Sequence, residues 1–410
     1  MIRFWLLATL ILATARIPAL AQTQMHAHSH MPMHDPASMA VSGDGEFNPF
    51  VIADAHGGFY AVYIRRTNGK SDVFFQYAPA GSGFSAAVRV NDVPGDAAVR
   101  NENPPKIAVG PGNEIYVAWA DERERWKGNI RFSRSLDGGK TFSPAVYLNT
   151  DTSGALIGRG FETIAVDKKG HIYVVWIDQR DKRAGDDRGV AEIWMTESSD
   201  RGKTFSHDRK IISNVCECCR LTLAFDSAGR MFVSYRYVPP SGPMFRDIAV
   251  ARSEDGGKTF QSAVVHHDGW ELDGCPTDGA SLSVDNSGRV NVVWFTAVGE
   301  TPRLYIASST DHGASFGKPA LLDPAQKQAK HADAVAVGDG VVLAAWDDVN
   351  DSSLVKWGIY NLTSRTVRVF GSEKNAYYPI VAASGKRMAV IAMQRDHPEL
   401  VRSLEDFTVR

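Results

Sequence analysis

Four cysteines carry the most distinctive chemistry in this sequence. Cys216, Cys218 and Cys219 crowd into one short stretch, and Cys275 stands further along. Thiols outside the cytoplasm either oxidise in pairs or bind metal. Four cysteines permit three pairings, so one or two disulfides pinning loops is one reading. The other is a thiolate site for a soft ion, copper(I) or zinc. A second donor cluster lies near the start of the chain, Met25-His26-Ala27-His28-Ser29-His30-Met31-Pro32-Met33-His34-Asp35-Pro36. Imidazole and thioether both bind copper, and thioether selects the copper(I) state. Two independent soft-donor clusters in one chain point to copper ahead of zinc. Met25, His26, His28, His30, Met31, Met33 and His34 would form a labile capture arm. Cys216, Cys218, Cys219 and Cys275 would be the tight ligands, with His331 as a further donor. Met244, His266 and His267 read as surface or mouth residues.

The elements that position these residues come from a repeat. Ser135-Leu136-Asp137-Gly138-Gly139-Lys140-Thr141-Phe142 recurs as Ser198 to Phe205, Ser253 to Phe260 and Ser309 to Phe316. The shared pattern is Ser-x-Asp-x-Gly-x-Thr/Ser-Phe. Asp accepts bonds from nearby backbone N–H groups and Gly supplies positive φ, so the pattern predicts a hairpin turn with no catalytic role. Between the copies lie strand-like runs such as Ile172-Tyr173-Val174-Val175-Trp176 and Val290-Asn291-Val292-Val293-Trp294. A shorter apolar run and a Gly-containing turn precede each. One unit therefore reads as four antiparallel strands with the box between the third and fourth. Repeated around an axis, such units predict an all-β fold, a β-propeller of four-stranded blades. Inner strands begin near Pro49, Pro105, Glu162, Leu221, Ala280, Asp333 and Pro379, which favours seven blades, with six the alternative. The first unit has a degenerate box at Gly81 to Phe84, and the sixth has none. The last unit is short, and a strand near Val41 is expected to close the ring.

The repeated motif resembles the Asp box of the sialidase superfamily, whose members hydrolyse sialosides on six-bladed propellers. The resemblance spans nearly the whole chain as architecture and is specific only in the boxes. It implies three arginines on the substrate carboxylate, a Tyr nucleophile paired with Glu, and an Asp acid/base. Bidentate Arg on a carboxylate is the physical core of such a site. Here the Arg-Ile-Pro of the family falls at Arg16-Ile17-Pro18, inside a signal sequence, and Asn48-Pro49-Phe50-Val51 occupies the first blade instead. Tyr377 or Tyr378, with Glu162 to activate it, are the residues a glycosidase would use. No matched catalytic set carries over.

The loops joining an outer strand to the next inner strand gather at one mouth of the propeller channel. In order they carry Arg100 to Asn103, Arg159 to Glu162, Cys216 to Arg220, Cys275 to Asp278, Lys330-His331 and Tyr377-Tyr378. The cysteines thus fall where a sialidase would bind sugar.

The chain opens with Arg3, an apolar run ending near Leu12, and Ala19-Leu20-Ala21. That is the pattern of a secretory signal peptide over 1–21, cleaved after Ala21. A Met/His-rich tail over 22–44, flexible by its composition, and a propeller over 45–410 follow. The expected location is periplasmic or secreted, with no membrane span in the mature chain. A formal net charge of −2 argues against nucleic acid or an anionic membrane as partner. The expected function is binding of a soft metal, with a periplasmic metal-handling protein as exchange partner. An exo-sialidase or other glycoside hydrolase is the alternative. A protein- or glycan-binding propeller with disulfide-pinned loops is the third reading.

Overall fold

The computed structural model describes residues 43–100, 102–124, 127–151, 156–182, 188–349 and 353–408. β-Branched and aromatic residues alternate with turn signals along the chain, and the result is a series of antiparallel meanders. Six sheets have four strands and the seventh has three among the described residues. Their inner strands are Gly45–Ala53, Lys106–Val109, Arg159–Val166, Thr222–Phe225, Ser281–Val284, Ala329–Gly338 and Ala376–Ser384. Each inner strand packs against the next, and the seventh packs against the first, so seven blades close a ring. The seventh blade continues with Arg387–Gln394 and Leu400–Asp406. Closure is side by side: the amide of Glu46 donates to the Pro398 carbonyl at 2.6 Å, and Glu46 takes Arg402 at 2.8 Å and Arg65 at 2.9 Å. The expected closing strand near Val41 lies outside the described residues. No helix among the described residues is long and apolar enough to cross a membrane.

The second strand of each blade is the most buried, because both its faces meet neighbouring sheets. Trp119, Trp176, Trp294 and Trp346 sit on these strands fully buried. Indole N–H groups need partners when buried. Trp119 donates to the Asp96 carbonyl at 2.6 Å, Trp176 to Asp178 at 3.0 Å and Trp294 to Asp268 at 2.9 Å.

The Asp boxes fold as their residue types demand. Ser135 Oγ donates to Asp137 at 2.7 Å and accepts the Gly139 amide at 2.8 Å. Asp137 also takes the Thr141 amide at 3.0 Å and its hydroxyl at 2.6 Å. The same four bonds recur around Asp200, Asp255 and Asp311. These bonds hold all four carboxylates well below their ordinary pKa. The box also joins blades. The glycine two residues after its Asp faces a side chain of the preceding blade: Gly139 meets Phe75, Gly202 Phe132, Gly257 Met195 and Gly313 Phe232. The box phenylalanine follows, with Phe205 edge-on to Phe132 at 4.8 Å between ring centres.

A methyl group at Gly202 would come within 2.7 Å of Phe132 at a backbone φ of +73°. Gly202→Ala is therefore expected to cost roughly 1–3 kcal/mol, from left-handed strain plus overpacking. Gly138→Ala, also at positive φ but facing open space, should cost less. Thermal unfolding of both variants checks this; equal losses would assign the whole cost to the backbone.

Candidate functional site

Two clusters meet at the mouth formed by the loops entering the inner strands. The first is the sulfur cluster. Cys216 ends the outer strand of blade three, Arg209–Cys216. Cys218 and Cys219 lie in the turn that leads to blade four, and Cys275 lies in the loop from blade four to blade five. Cys216 Sγ stands 3.6 Å from Cys218 Sγ and 3.8 Å from Cys219 Sγ. Cys218 and Cys275 are joined as a disulfide, while Cys216 and Cys219 are free thiols. The sulfurs of Cys216, Cys218 and Cys275 all lie within 4.8 Å of one another, a spacing that can hold a metal ion only where the Cys218–Cys275 bond is open. Cys216 and Cys219 are buried against Val238.

Arginines set the charge there. Arg246 reaches Cys216 Sγ at 3.6 Å and donates to the carbonyls of Leu272 and Arg188. Arg236, fully buried, donates to the carbonyls of Asp278 and Phe295. The Cys219 thiol donates to Cys216, and together with Arg246 and Arg236 it holds Cys216 well below the ordinary thiol pKa despite burial. Cys216 is thus the thiolate of the pair and Cys219 its donor.

The second cluster lies on the channel axis. Glu102, Asp278 and Asp347 have buried side chains, each with one carboxylate oxygen that no donor satisfies. Glu102 accepts the Gly279 amide at 2.9 Å, with the Arg220 guanidinium 3.9 Å away. His331 pairs through Nδ1 with Asp347 at 2.7 Å, and its amide donates to Asp278 at 2.9 Å. The Tyr378 ring lies on the imidazole at 3.9 Å between centres. Burial pushes the Glu102 carboxyl up to about 7 and lowers the Lys106 ammonium to about 8. Burial opposes charge on His331, yet Asp347, Asp278 and Glu102 raise its pKa above the ordinary value. Burial and these same carboxylates push the Tyr378 phenol well above its ordinary range.

Local backbone explains how these side chains reach the axis. Asn48, Glu102, Phe161, Thr277, His331 and Tyr378 all have φ between +44° and +62°. Each lies at or just before the start of an inner strand. A non-glycine residue there turns the chain into the channel, at a strain of about 1–3 kcal/mol each. Bulges at this position in blades one, three, six and seven mark the same turn.

The residues singled out from the sequence fall as follows. All four cysteines come together. His331 joins the axial cluster, where its Nδ1 is taken by Asp347. Tyr378 also joins that cluster, whereas Tyr377 lies beside it under Arg395. Glu162 is buried with Lys106 and Arg100 as its nearest charges. The carboxylates that act on Tyr378 are Glu102, Asp347 and Asp278. Met25, His26, His28, His30, Met31, Met33 and His34 lie outside the described residues. Sequence reasoning missed Glu102, Lys106, Arg220, Asp278 and Asp347 as a cluster. One signal was available for Asp347. Trp-x-Asp recurs at Asp121, Asp178 and Asp348, and Asp347 is the extra carboxylate.

No family model matches this chain, and no curated protein matches it. Solved structures do. An ulvan lyase of polysaccharide lyase family PL25, bound to a GlcA–Rha3S unit, aligns at TM-score 0.57 and 12% identity over 89% of this chain and 94% of its own. A Dyadobacter fermentans protein of unknown function aligns at 0.55 and 16% over 76% and 97%. A Penicillium chrysogenum α-L-arabinanase complexed with arabinobiose aligns at 0.53 and 14% over 76% and 95%. With the Asp-box geometry, these likenesses establish a β-propeller fold. At these identities they speak to the fold alone.

Burial pushes the Glu162 carboxyl up to about 7, and neither of its oxygens has a hydrogen-bond partner. A folded-state pKa above the unfolded value means its favourable contribution is present at acid pH and is lost as pH rises through about 7. Glu162→Gln mimics the protonated form. It is expected to raise Tm at about pH 8 and leave it nearly unchanged at about pH 5. Calorimetry at both values checks this; an equal effect at each would mean Lys106 holds the carboxylate ionised at no cost.

Proposed function

We propose that this propeller binds a soft metal ion, copper(I) ahead of zinc, through Cys216, Cys218, Cys219 and Cys275. One observation carries the reading. The Cys216 sulfur lies 3.6 and 3.8 Å from its two neighbours. A metal bonded to thiolates at about 2.3 Å sets sulfur–sulfur edges of about 3.8 Å in a tetrahedral site. Two further features support it. Arg246 and Arg236 offset the negative charge that several thiolates bring into a buried place. The Met/His-rich tail adds thioether and imidazole, which favours copper(I). In this reading the protein is exported and the tail captures or delivers the ion, with a periplasmic metal-handling protein as exchange partner.

A second reading is glycan processing on the channel axis, and His331 favours it. Asp347 fixes its Nδ1, so Nε2 is the nitrogen left to exchange a proton, and the Tyr378 ring packs on the imidazole at 3.9 Å between centres. A base fixed in one tautomer next to a phenol is an acid–base pair. The ulvan lyase and the arabinanase with this fold both hold saccharides, a GlcA–Rha3S unit and arabinobiose.

Protein purified without a tag and under reductant is expected to bind about one copper(I) in the core. Cys218→Ser with Cys219→Ser should abolish that uptake, and tail deletion should lower the remainder. Unchanged metal content in both variants refutes the metal reading. Thiolates must lose protons to bind, so affinity should fall as the solution is acidified. For the second reading, turnover of fluorogenic glycosides or anionic polysaccharides should drop about a hundredfold or more in His331→Ala. Wild-type protein inactive on the whole panel removes that reading.

A further inference from the structure

The four sulfurs differ in reach. Cys216 and Cys219 are each 1% exposed, whereas Cys218 and Cys275 are only partly buried and are the two that are bonded. The bonded pair is therefore the more accessible half of the cluster. The bond also uses two of the four donors that the metal site needs. While the bond is made, an arriving ion finds only Cys216 and Cys219, and both are buried against Val238.

We propose that the Cys218–Cys275 bond is a redox gate over this metal site, opened by a dithiol. The inference rests on the metal reading above and adds its regulation. Both sides of the gate are anchored, the Cys275 side by the Leu272 amide, which donates to Met244 at 3.1 Å, and by the Leu272 carbonyl, which accepts from Arg246 at 3.1 Å. Cys275 belongs to the loop between the outer strand of blade four, Gln261–Val264, and the inner strand Ser281–Val284. Cys218 belongs to a turn held from behind, where the Val238 amide donates to Asn214 at 2.9 Å and the Glu217 amide to Gly189 at 3.1 Å. Reduction therefore parts the two sulfurs while the backbone on both sides keeps the four cysteines in register.

The step balances without a further reagent. One thiolate of the dithiol bonds to one protein sulfur, and the other protein sulfur leaves as a thiolate. The second thiol of the reductant then displaces the first protein sulfur and closes its own disulfide. Two electrons and two protons pass to the protein, which gains two thiols. The ion then replaces thiol protons as it binds, and those protons go to solvent. Exchange with a small-molecule disulfide runs the same steps in reverse: it takes two electrons from the pair, leaves as a dithiol, restores the bond and expels the ion.

The test uses the full mature chain, oxidised in air or reduced with a dithiol and desalted without oxygen. Thiol counting after denaturation should give two in the first state and four in the second, as the disulfide assignment requires. Titration with copper(I) held by a bicinchoninate chromophore should then show binding about tenfold or more tighter in the reduced state. Cys275→Ser cannot form the bond and should bind alike with or without dithiol treatment. Equal binding by oxidised and reduced wild type, both above Cys216→Ser with Cys219→Ser, overturns the gate and leaves the metal site standing. Four free thiols in the air-oxidised protein also overturn the gate alone. Reduced wild type that binds no better than the double variant overturns the metal site and the gate together. The tail is present in every sample, so its copper cancels from each comparison.

Discussion

No blade of this protein can bury both faces of its sheet by itself, and that constraint organises the rest. Each blade is covered by the next, and the ring is complete only when the seventh covers the first. The Asp box is the joint. Its Ser and Asp close the turn, and its glycine two residues after the Asp and its phenylalanine then fit against Phe75, Phe132, Met195 or Phe232 of the blade before. A motif that reads as local turn chemistry therefore also sets the spacing between blades. The ring in turn fixes where the inner strands begin, which brings loops far apart in sequence to one mouth.

That convergence creates an electrostatic problem. Carboxylates, a lysine, a histidine and arginines arrive at a narrow axis where water is scarce, and an unpaired buried charge is costly. The structure answers with backbone. Arg236 donates to carbonyls of two loops and of the strand Val290–Thr296, Arg246 to carbonyls of two loops, and the Gly279 amide donates to Glu102. Where no partner is supplied, as at Glu162, the proton is retained to higher pH instead. The left-handed residues that begin most of the inner strands add strain to this cost. Groups held so expensively are what an active or binding centre requires, and what a merely structural channel would have replaced with apolar side chains.

Much of the scaffold was legible because its signals are local. Four Asp boxes and the strand pairs between them sufficed for fold class and for seven inner strands, each within a few residues of its expected start. Blade six was found without a box because its inner strand, Ala329–Gly338, is marked by the apolar run near Asp333. The gathering of four cysteines followed from placing them in loops of adjacent blades. The axial cluster was less legible. Glu102, Lys106, Arg220, Asp278 and Asp347 come from four blades and share no spacing, so only ring closure juxtaposes them. Glu162 looked like the partner of a tyrosine because both lie at the mouth. Which carboxylate faces Tyr378 depends on rotation about the axis, which a linear pattern does not encode.

The sulfur cluster occupies the one entry that departs from the others. Among the described residues, the approach to blade four has no left-handed residue at Cys216 to Arg220, where six other approaches have one. Its outer strand instead runs on to Cys216 and is backed by Val238. A loop pinned by one disulfide needs two cysteines, and Cys218 with Cys275 meets that need. Cys216 and Cys219 then require a separate reason. As apolar filler they would be better served by valine or alanine, since Arg246 and Arg236 draw Cys216 toward the thiolate and so make it a poor hydrophobe. A buried thiolate held by arginines, with a thiol and a reducible bond at ligand spacing, is intelligible as a place kept ready for a cation. It is hard to account for as packing.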